Sequence, residues 1–409
     1  MVKRRPVALC MGPLVPRGPS GFDNQPDWLD ATAAVALLGV KRDTLYAYVS
    51  RGLVRRSGAR GHHRYAREDL LRLKARHDAR AGHGPVAAGA LRWGEAVLPS
   101  SVSSLHEDGP RYRGIALHAL LADDVSFERV AALLATGALP DAVDELPPVA
   151  TPPHDGAPLT ALARLLARDL DAPDDDWISL SRKHIATFGA HLGGRLGSGV
   201  RQGPLAARVL GDHGERARCL DRALVIVAEH ELNPSSFAAR VASSAGAGIT
   251  ACLLAAASTM TGPRHGRMSD TLEELLAGAD SLGALRAMVA RGEAAPGFGH
   301  PMYPSGDPRA AALLAMSAAL GLAGPEGARF SAALSLLREL GHAPPNLDAG
   351  LVALRIALGL PRGFAAGIFA LGRMAGWTAH ALEQRDDRHP LRPRAQLVPG
   401  VMATPTQLR

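Results

Sequence analysis

The chain has 409 residues, 47% apolar, 21% charged and 4% aromatic, an ordinary soluble composition long enough for two or three domains. No window approaches the ~18 uninterrupted apolar residues of a membrane span. Cysteines only at 10, 219 and 252 argue against a disulfide framework or a zinc cluster and fit a reduced, cytoplasmic setting.

The formal charge of +7 is uneven, because residues 1–85 hold 16 Lys/Arg against 7 Asp/Glu. A positive field confined to that end makes nucleic acid the first candidate partner there. Residues 1–25 are basic, then apolar, and are broken by Pro13 and Pro16. They read as a disordered extension and not as a signal peptide. Asp30 is placed to cap a short helix over Ala31–Leu38, and Gly39 breaks it. "VKRDTLYAYVSRG" predicts a second helix ended by Gly52. A basic hairpin, "RRSGARGHHRY", and a third helix, "AREDLLRLKARHDA", follow. Two short helices meeting at a glycine, with a basic wing behind, predict a winged helix-turn-helix domain over 26–80. His62, His63 and His77 have no Cys or acidic partner at ligand spacing, so no metal is expected. "AGHGPVAAGA", 81–90, reads as a linker.

Beyond residue 90 the chain reads as mainly α. Ala and Leu are strong helix formers, and β-branched runs are scarce. Helical runs fall at 110–140, 158–170, 204–229, 238–261, 271–291, 308–322, 328–341 and 348–385, and a short β element is expected near 91–114. "GGRLGSG", 193–199, has no strand before it and no Lys after it, and reads as a flexible loop and not a phosphate cradle.

Polar residues gather at the ends of these runs: His230 in "AEHELNPSSFAARV", His265 in "TGPRHGRMSD", and His300 and Arg309 in "PGFGHPMYPSGDPRA". Asp348 follows in "PPNLDAGLVAL", Arg373 in "LGRMAGWTAHALEQ" and Arg392 in "HPLRPRAQLVPG". Such a set suits a carboxylate-rich substrate and a carbon acid. Arginines clamp carboxylates through paired hydrogen bonds. An Asp can take a proton from carbon beside a carbonyl. A neutral His at a helix N-terminus can polarise that carbonyl.

From about residue 91 onward these ordered motifs, with "YRGIALHALLADDVSFERVAALLATGALP" at 112–140, resemble the citrate synthase family. The likeness is strongest over 228–400 and poor over 141–225. It implies a homodimer whose subunits each have a large helical domain, 91–239 with 341–409, and a small one, 240–340, that moves against it. It also implies condensation of acetyl-CoA with oxaloacetate to give citrate, the tricarboxylic acid cycle reaction, or of propionyl-CoA to give 2-methylcitrate. The acyl-CoA is a cosubstrate, and no tightly held cofactor or metal is implied. His265 would polarise the thioester carbonyl, Asp348 take the methyl proton and His300 serve the ketone. His230, Arg309 and Arg373 would hold the dicarboxylate, with Arg392 reaching in from the second subunit. Gly297 and Gly299 would permit close approach of the CoA adenine or of the backbone.

One departure is "HGRMSD", where the family has small residues after the first catalytic His. Two readings are open for Arg267: its cation helps keep His265 neutral, or its bulk instead narrows the acyl-CoA pocket. The N-terminal unit resembles MerR/excisionase helix-turn-helix domains. That places Lys41, Arg42, Thr44 and Tyr48 on or near the groove-facing helix, and Arg60, His62 and Arg64 on the wing. The alternative reading is a transcriptional regulator whose synthase part senses a metabolite. Asp348 separates the two, since binding needs no base.

Overall fold

The computed structural model describes residues 28–57, 63–67, 69–71, 73–74, 97–106, 108–153, 156–387 and 389–393. They form two units that divide between Pro99 and Ser100, and each is described by itself.

In the first unit, β1 (Trp28–Asp30) leads into α1 (Ala31–Leu38). Asp30 caps that helix by accepting the Ala33 N–H, and Gly39 ends it at φ 62°. Then follow α2 (Arg42–Ser50), β2 (Arg56–Ser57) and β3 (Arg64–Ala66), with the antiparallel sheet ordered β1-β3-β2. Ala34, Leu38, Leu45, Val54, Tyr65 and Leu70 make its core. Asp69 fastens the hairpin by accepting from the Arg55 backbone N–H at 2.8 Å and from the Arg55 guanidinium at 2.9 and 3.1 Å.

The second unit opens with a meander of β4 (Ser103–His106), β5 (Gly109–Tyr112) and β6 (Ile115–Ala116). Thirteen helices follow: α3 (Leu117–Ala122), α4 (Phe127–Thr136), α5 (Pro158–Arg168), α6 (Trp177–Arg195), α7 (Leu205–Leu210), α8 (Glu215–Val227), α9 (Pro234–Ser244), α10 (Ile249–Met260), α11 (Met268–Ala277), α12 (Ser281–Ala290), α13 (Pro308–Leu320), α14 (Gly324–Glu339) and α15 (Leu347–Ala357), before α16 (Phe364–Asp387). The long α16 is buried almost throughout and packs on α4, α6, α8, α9 and α10. Small residues make that possible. A Cβ on Gly372 would lie 2.5 Å from Val227 Cγ2 and 2.7 Å from Leu224 O, so no larger residue fits there against α8.

Two expectations change. "GGR" at 193–195 is not loop but the end of α6, and α6 itself falls where no helical run was expected. Its glycines serve packing. A Cβ on Gly189 would meet Leu205 Cδ1 at 2.4 Å, and one on Gly193 would meet Arg208 O at 2.7 Å. The single run expected over 348–385 is two helices, broken at 358–363 around Pro361.

Candidate active site

The loop before α13 is built to be rigid. Gly297 and Gly299 have φ of 81° and 77°, a region other residues adopt poorly. Gly299 N–H donates to Pro344 O at 2.7 Å, and Asn346 N–H to Gly297 O at 2.9 Å. The Asn346 side chain donates to Gly299 O at 2.9 Å and, with its other atom, accepts the Asp348 N–H at 2.9 Å, capping α15. The loop holding His300 and the first turn holding Asp348 are thus joined through one residue.

Within that loop Met302 N–H donates to His300 Nδ1 at 3.2 Å. The neutral ring therefore carries its proton on Nε2, as a free donor. Burial, then Arg309, lower the His300 pKa to about 4. His230, His300 and Tyr303 form a ring cluster with centroids 5.2–5.7 Å apart. The Tyr303 hydroxyl lies 3.1 Å from His230 Nε2. Burial, then Arg309 and Arg373, hold His230 well below the usual histidine range.

Asp307 organises the start of α13. It caps that helix, pairs with Arg309 through two bonds of 3.0 and 2.8 Å, and accepts the Leu347 N–H at 3.2 Å. Burial pushes the Asp307 carboxyl up, but Arg309 more than offsets it and holds it below the ordinary value. One residue past Leu347, Asp348 is half-buried. Its Oδ1 is enclosed and has no hydrogen-bond partner among the described residues. Burial raises its carboxyl to about 7, with Asp307 adding to the rise and Arg309 opposing it.

His265 lies between α10 and α11. Its Nε2 sits 2.8 Å from Ser235 Oγ, which accepts from Trp377 Nε1 at 3.0 Å and donates to Asn233 Oδ1 at 2.7 Å. Its ring stands edge-on to Phe369, centroids 5.9 Å apart. Burial, then Arg373, lower it to about 4. The next residue must be glycine, because a Cβ at 266 would fall 2.2 Å from Met260 Cγ and 2.6 Å from Met260 O.

Arg373 is fully buried, over the Phe369 ring at 4.9 Å, with Nε donating to Val227 O at the end of α8 at 2.7 Å. That carbonyl belongs to the negative pole of a helix. Nη2 is enclosed and has no partner among the described residues. Desolvation lowers Arg373 to about 10. A buried unmatched donor on a cation is the signature of an anion site. Tyr112 of the "YRGI" stretch lies within the fields of both arginines, its hydroxyl donating toward Val225 O and Ile226 O at 3.1 Å.

Arg309 and Arg373 link the set: both act on His230, Arg309 acts on His300 and Asp348, and Arg373 acts on His265, with all six side chains buried or half-buried. Arg392 is exposed and outside it, beside Leu391, whose N–H donates to Ser244 Oγ. Gly297 and Gly299 also have an internal role. A Cβ on Gly297 would meet Leu272 Cδ2 at 2.8 Å, and one on Gly299 would meet Ala343 Cβ at 3.3 Å. The Arg267 expectation is corrected. Arg267 turns to Asp270 at 3.2 Å, and the cation acting on His265 is Arg373.

Sequence reading passed over Ser235, Trp377, Tyr112 and Tyr303, and the pairing of Asp307 with Arg309. The "DPR" spacing was the one available signal, since a helix N-cap and a residue two further on can share one fork. Among the described residues no cluster of His, Cys, Asp or Glu could hold a metal. In the first unit Lys41, Arg42 and Arg64 are exposed, Thr44 is half-buried, and Tyr48 packs on the core. The exposed aromatic of α2 is instead Tyr46. Arg60 and His62 lie outside the described residues.

A sequence profile described as the citrate synthase C-terminal domain matches residues 205–394, and one described as a helix-turn-helix domain matches 28–78. "Putative citrate synthase 2" of Mycobacterium tuberculosis is 30% identical over 350 residues, 75% of this chain and 92% of its own length. The 2-methylcitrate synthase of Shewanella oneidensis is 31% identical over 188 residues, 44% of this chain and 50% of its own. Two solved structures share the fold. Citrate synthase from Thermotoga maritima is 23% identical with a TM-score of 0.64, over 77% of this chain and 98% of that one. The Thermoplasma acidophilum enzyme, in ternary complex with carboxymethyl coenzyme A and oxaloacetate, is 17% identical with a TM-score of 0.65, over 76% of this chain and 96% of that one. With buried histidines, arginines and an aspartate gathered as described, and a relative matched across nearly its whole length, this chain belongs to the citrate synthase family and carries a helix-turn-helix domain at its N-terminal side.

Proposed function

We propose that the chain is a cytoplasmic, homodimeric acyltransferase that condenses acetyl-CoA with oxaloacetate to give citrate and CoA, or propionyl-CoA to give 2-methylcitrate. The observation that carries this reading is Asp348: a carboxyl raised to about 7, with an oxygen unpartnered among the described residues, linked through Arg309 and Arg373 to two imidazoles lowered to about 4. Binding alone has no use for such a base. The acid to be ionised, a thioester methyl, is far weaker than any carboxyl. Raising Asp348 narrows the gap, and stabilising the enolate closes the rest.

Asp348 takes the methyl proton through Oδ1. Trp377 donates to Ser235, whose own proton, given to Asn233 Oδ1 in this structure, turns to His265 Nε2 for the reaction. That leaves Nδ1–H of His265 to hold the thioester oxygen as it becomes an enolate oxygen. His300 Nε2–H holds the ketone oxygen and passes its proton to the alkoxide when the new carbon–carbon bond forms. Water then cleaves the thioester and releases CoA. Arg309 and Arg373, each fixed by one edge of its fork, turn the other edge to the diacid carboxylates, and His230 joins them. Arg392 is assigned to the partner subunit's site, in keeping with its exposure in a single chain. Gly297 and Gly299 let the CoA approach, and the 240–340 segment closes over the site to exclude water.

Thiol release with oxaloacetate and each acyl-CoA in turn tests the reaction. Release with acetyl- or propionyl-CoA supports it and identifies the donor. Absence of release, with oxaloacetate still bound, would leave the metabolite-sensor reading. Gly266→Ala is expected to lower kcat by about 10²-fold, because displacing a catalytic group by ~1 Å has an effect of that size. The same thiol assay checks it.

The first unit supports a second activity, DNA binding, on the exposed Lys41, Arg42, Tyr46 and Arg64. Phosphate contacts make such binding fall steeply with salt. Retention of the full chain on duplex DNA should drop between low and high salt and vanish when residues 1–85 are deleted. Retention that survives the deletion removes the assignment.

A further inference from the structure

Glu229, immediately before His230, and His380 on α16 are both fully buried. Ser103 Oγ donates to Glu229 Oε1 at 3.0 Å, and His380 Nε2 lies 3.0 Å from the same oxygen. The other oxygen, Oε2, is enclosed and has no hydrogen-bond partner among the described residues, like Arg373 Nη2. Arg373, Gly376 and His380 recur at three- and four-residue spacing, so they share one face of α16. Gly376 makes the seat for the carboxylate, since a Cβ there would lie 2.1 Å from Glu229 Oε2. No hydrogen bond joins Glu229 to Arg373. Even so, Glu229 is the largest influence opposing the desolvation of that guanidinium.

A buried cation whose only hydrogen bond among the described residues is to a neutral carbonyl is strongly unfavourable unless a charge answers it. In the reading above that charge is the diacid, which is absent between turnovers. We propose that Glu229, seated by Ser103, His380 and Gly376, is the resident counter-charge of Arg373. It keeps the guanidinium charged and the site folded when no diacid is bound, and it lowers the affinity of the diacid that follows. Glu229 is a positioning residue, acting only through Arg373. The inference rests on Arg373 being a diacid clamp.

Glu229→Gln keeps an acceptor for Ser103 and His380 and removes only the charge. By calorimetry, oxaloacetate is expected to bind the full-length variant about tenfold more tightly than the parent, the effect of removing one like charge that acts from beyond ion-pair contact in a protein interior. The ligand-free variant is expected to melt lower, and saturating oxaloacetate to raise its melting temperature by more than it does the parent's. A folded Glu229→Gln protein that binds oxaloacetate equally or more weakly overturns the proposal. If that variant does not fold, Arg373→Met and the double variant carry the test. The double should melt above Arg373→Met alone, since it no longer leaves a buried carboxylate answered only by Ser103 and His380. A double that melts no higher overturns the pairing. Parent protein that fails to bind oxaloacetate would instead sink the clamp assignment, and the melting comparison would still judge the charge pair.

Discussion

Asp348→Asn is expected to cut thiol release by about 10³-fold, within the range that removal of a general base produces. Oxaloacetate binding is expected to stay within about threefold, because the change removes a step made only in the transition state. Asn346 caps α15 independently of the Asp348 side chain, so the first turn survives the substitution. Turnover that persists at the parent rate would remove Asp348 as the base. The pH profile gives a second handle. The active form is the carboxylate, so kcat/KM should rise with pH through about 7 and then level, while His265 and His300, at about 4, stay neutral above pH 5. Stability carries the opposite sign. A carboxyl raised on folding favours the folded state while protonated, and that contribution is lost as pH climbs from the ordinary carboxyl value toward about 7. Asp348→Asn should therefore be more stable than the parent at pH 8, with a flatter dependence on pH.

Arg309→Met is expected to be the most damaging single change for both folding and binding. Arg309 and Asp307 are 2% and 0% exposed at their side chains and meet in a paired bridge. Taking away the guanidinium leaves a buried carboxylate with only backbone donors, a loss of about 3–5 kcal/mol, read as a shift in the denaturation midpoint. Oxaloacetate affinity should fall about a hundredfold as a charge-assisted pair is lost. Asp307→Asn combined with Arg309→Met should recover much of the stability and none of the affinity. If affinity returned with stability, Arg309 would be a structural residue alone.

The chemistry was legible wherever a residue's neighbours in sequence are its neighbours in space. Asp30 capping α1, Gly39 ending it, and the Pro/Gly loop around His300 are local events, and local rules found them. Family motifs then named residues that no spacing rule would join, such as His265 and Asp348. What escaped depends on contacts distant in the chain. No helical run was expected over 177–195, yet a helix forms there, with Gly189 and Gly193 small because Leu205 and the Arg208 backbone press against them. Arg267 was credited with acting on His265 on sequence proximity alone, whereas Asp270 draws its guanidinium away and Arg373, from α16, takes that place. Tyr48 and Tyr46 exchange roles for a similar reason: the core needs one aromatic of α2, and the helical repeat leaves the other outside.

Asn346 holds both ends of the site at once. One amide grips the carbonyl behind His300 and the first free N–H of the Asp348 helix, so the proposed proton donor and proton acceptor ride on a common strut. Thermal motion that tilts one tilts the other, and their separation is preserved through breathing of the surrounding bundle. A substitution such as Asn346→Ala would then act as a loosened joint, with each partner adequate alone and the two no longer arriving together.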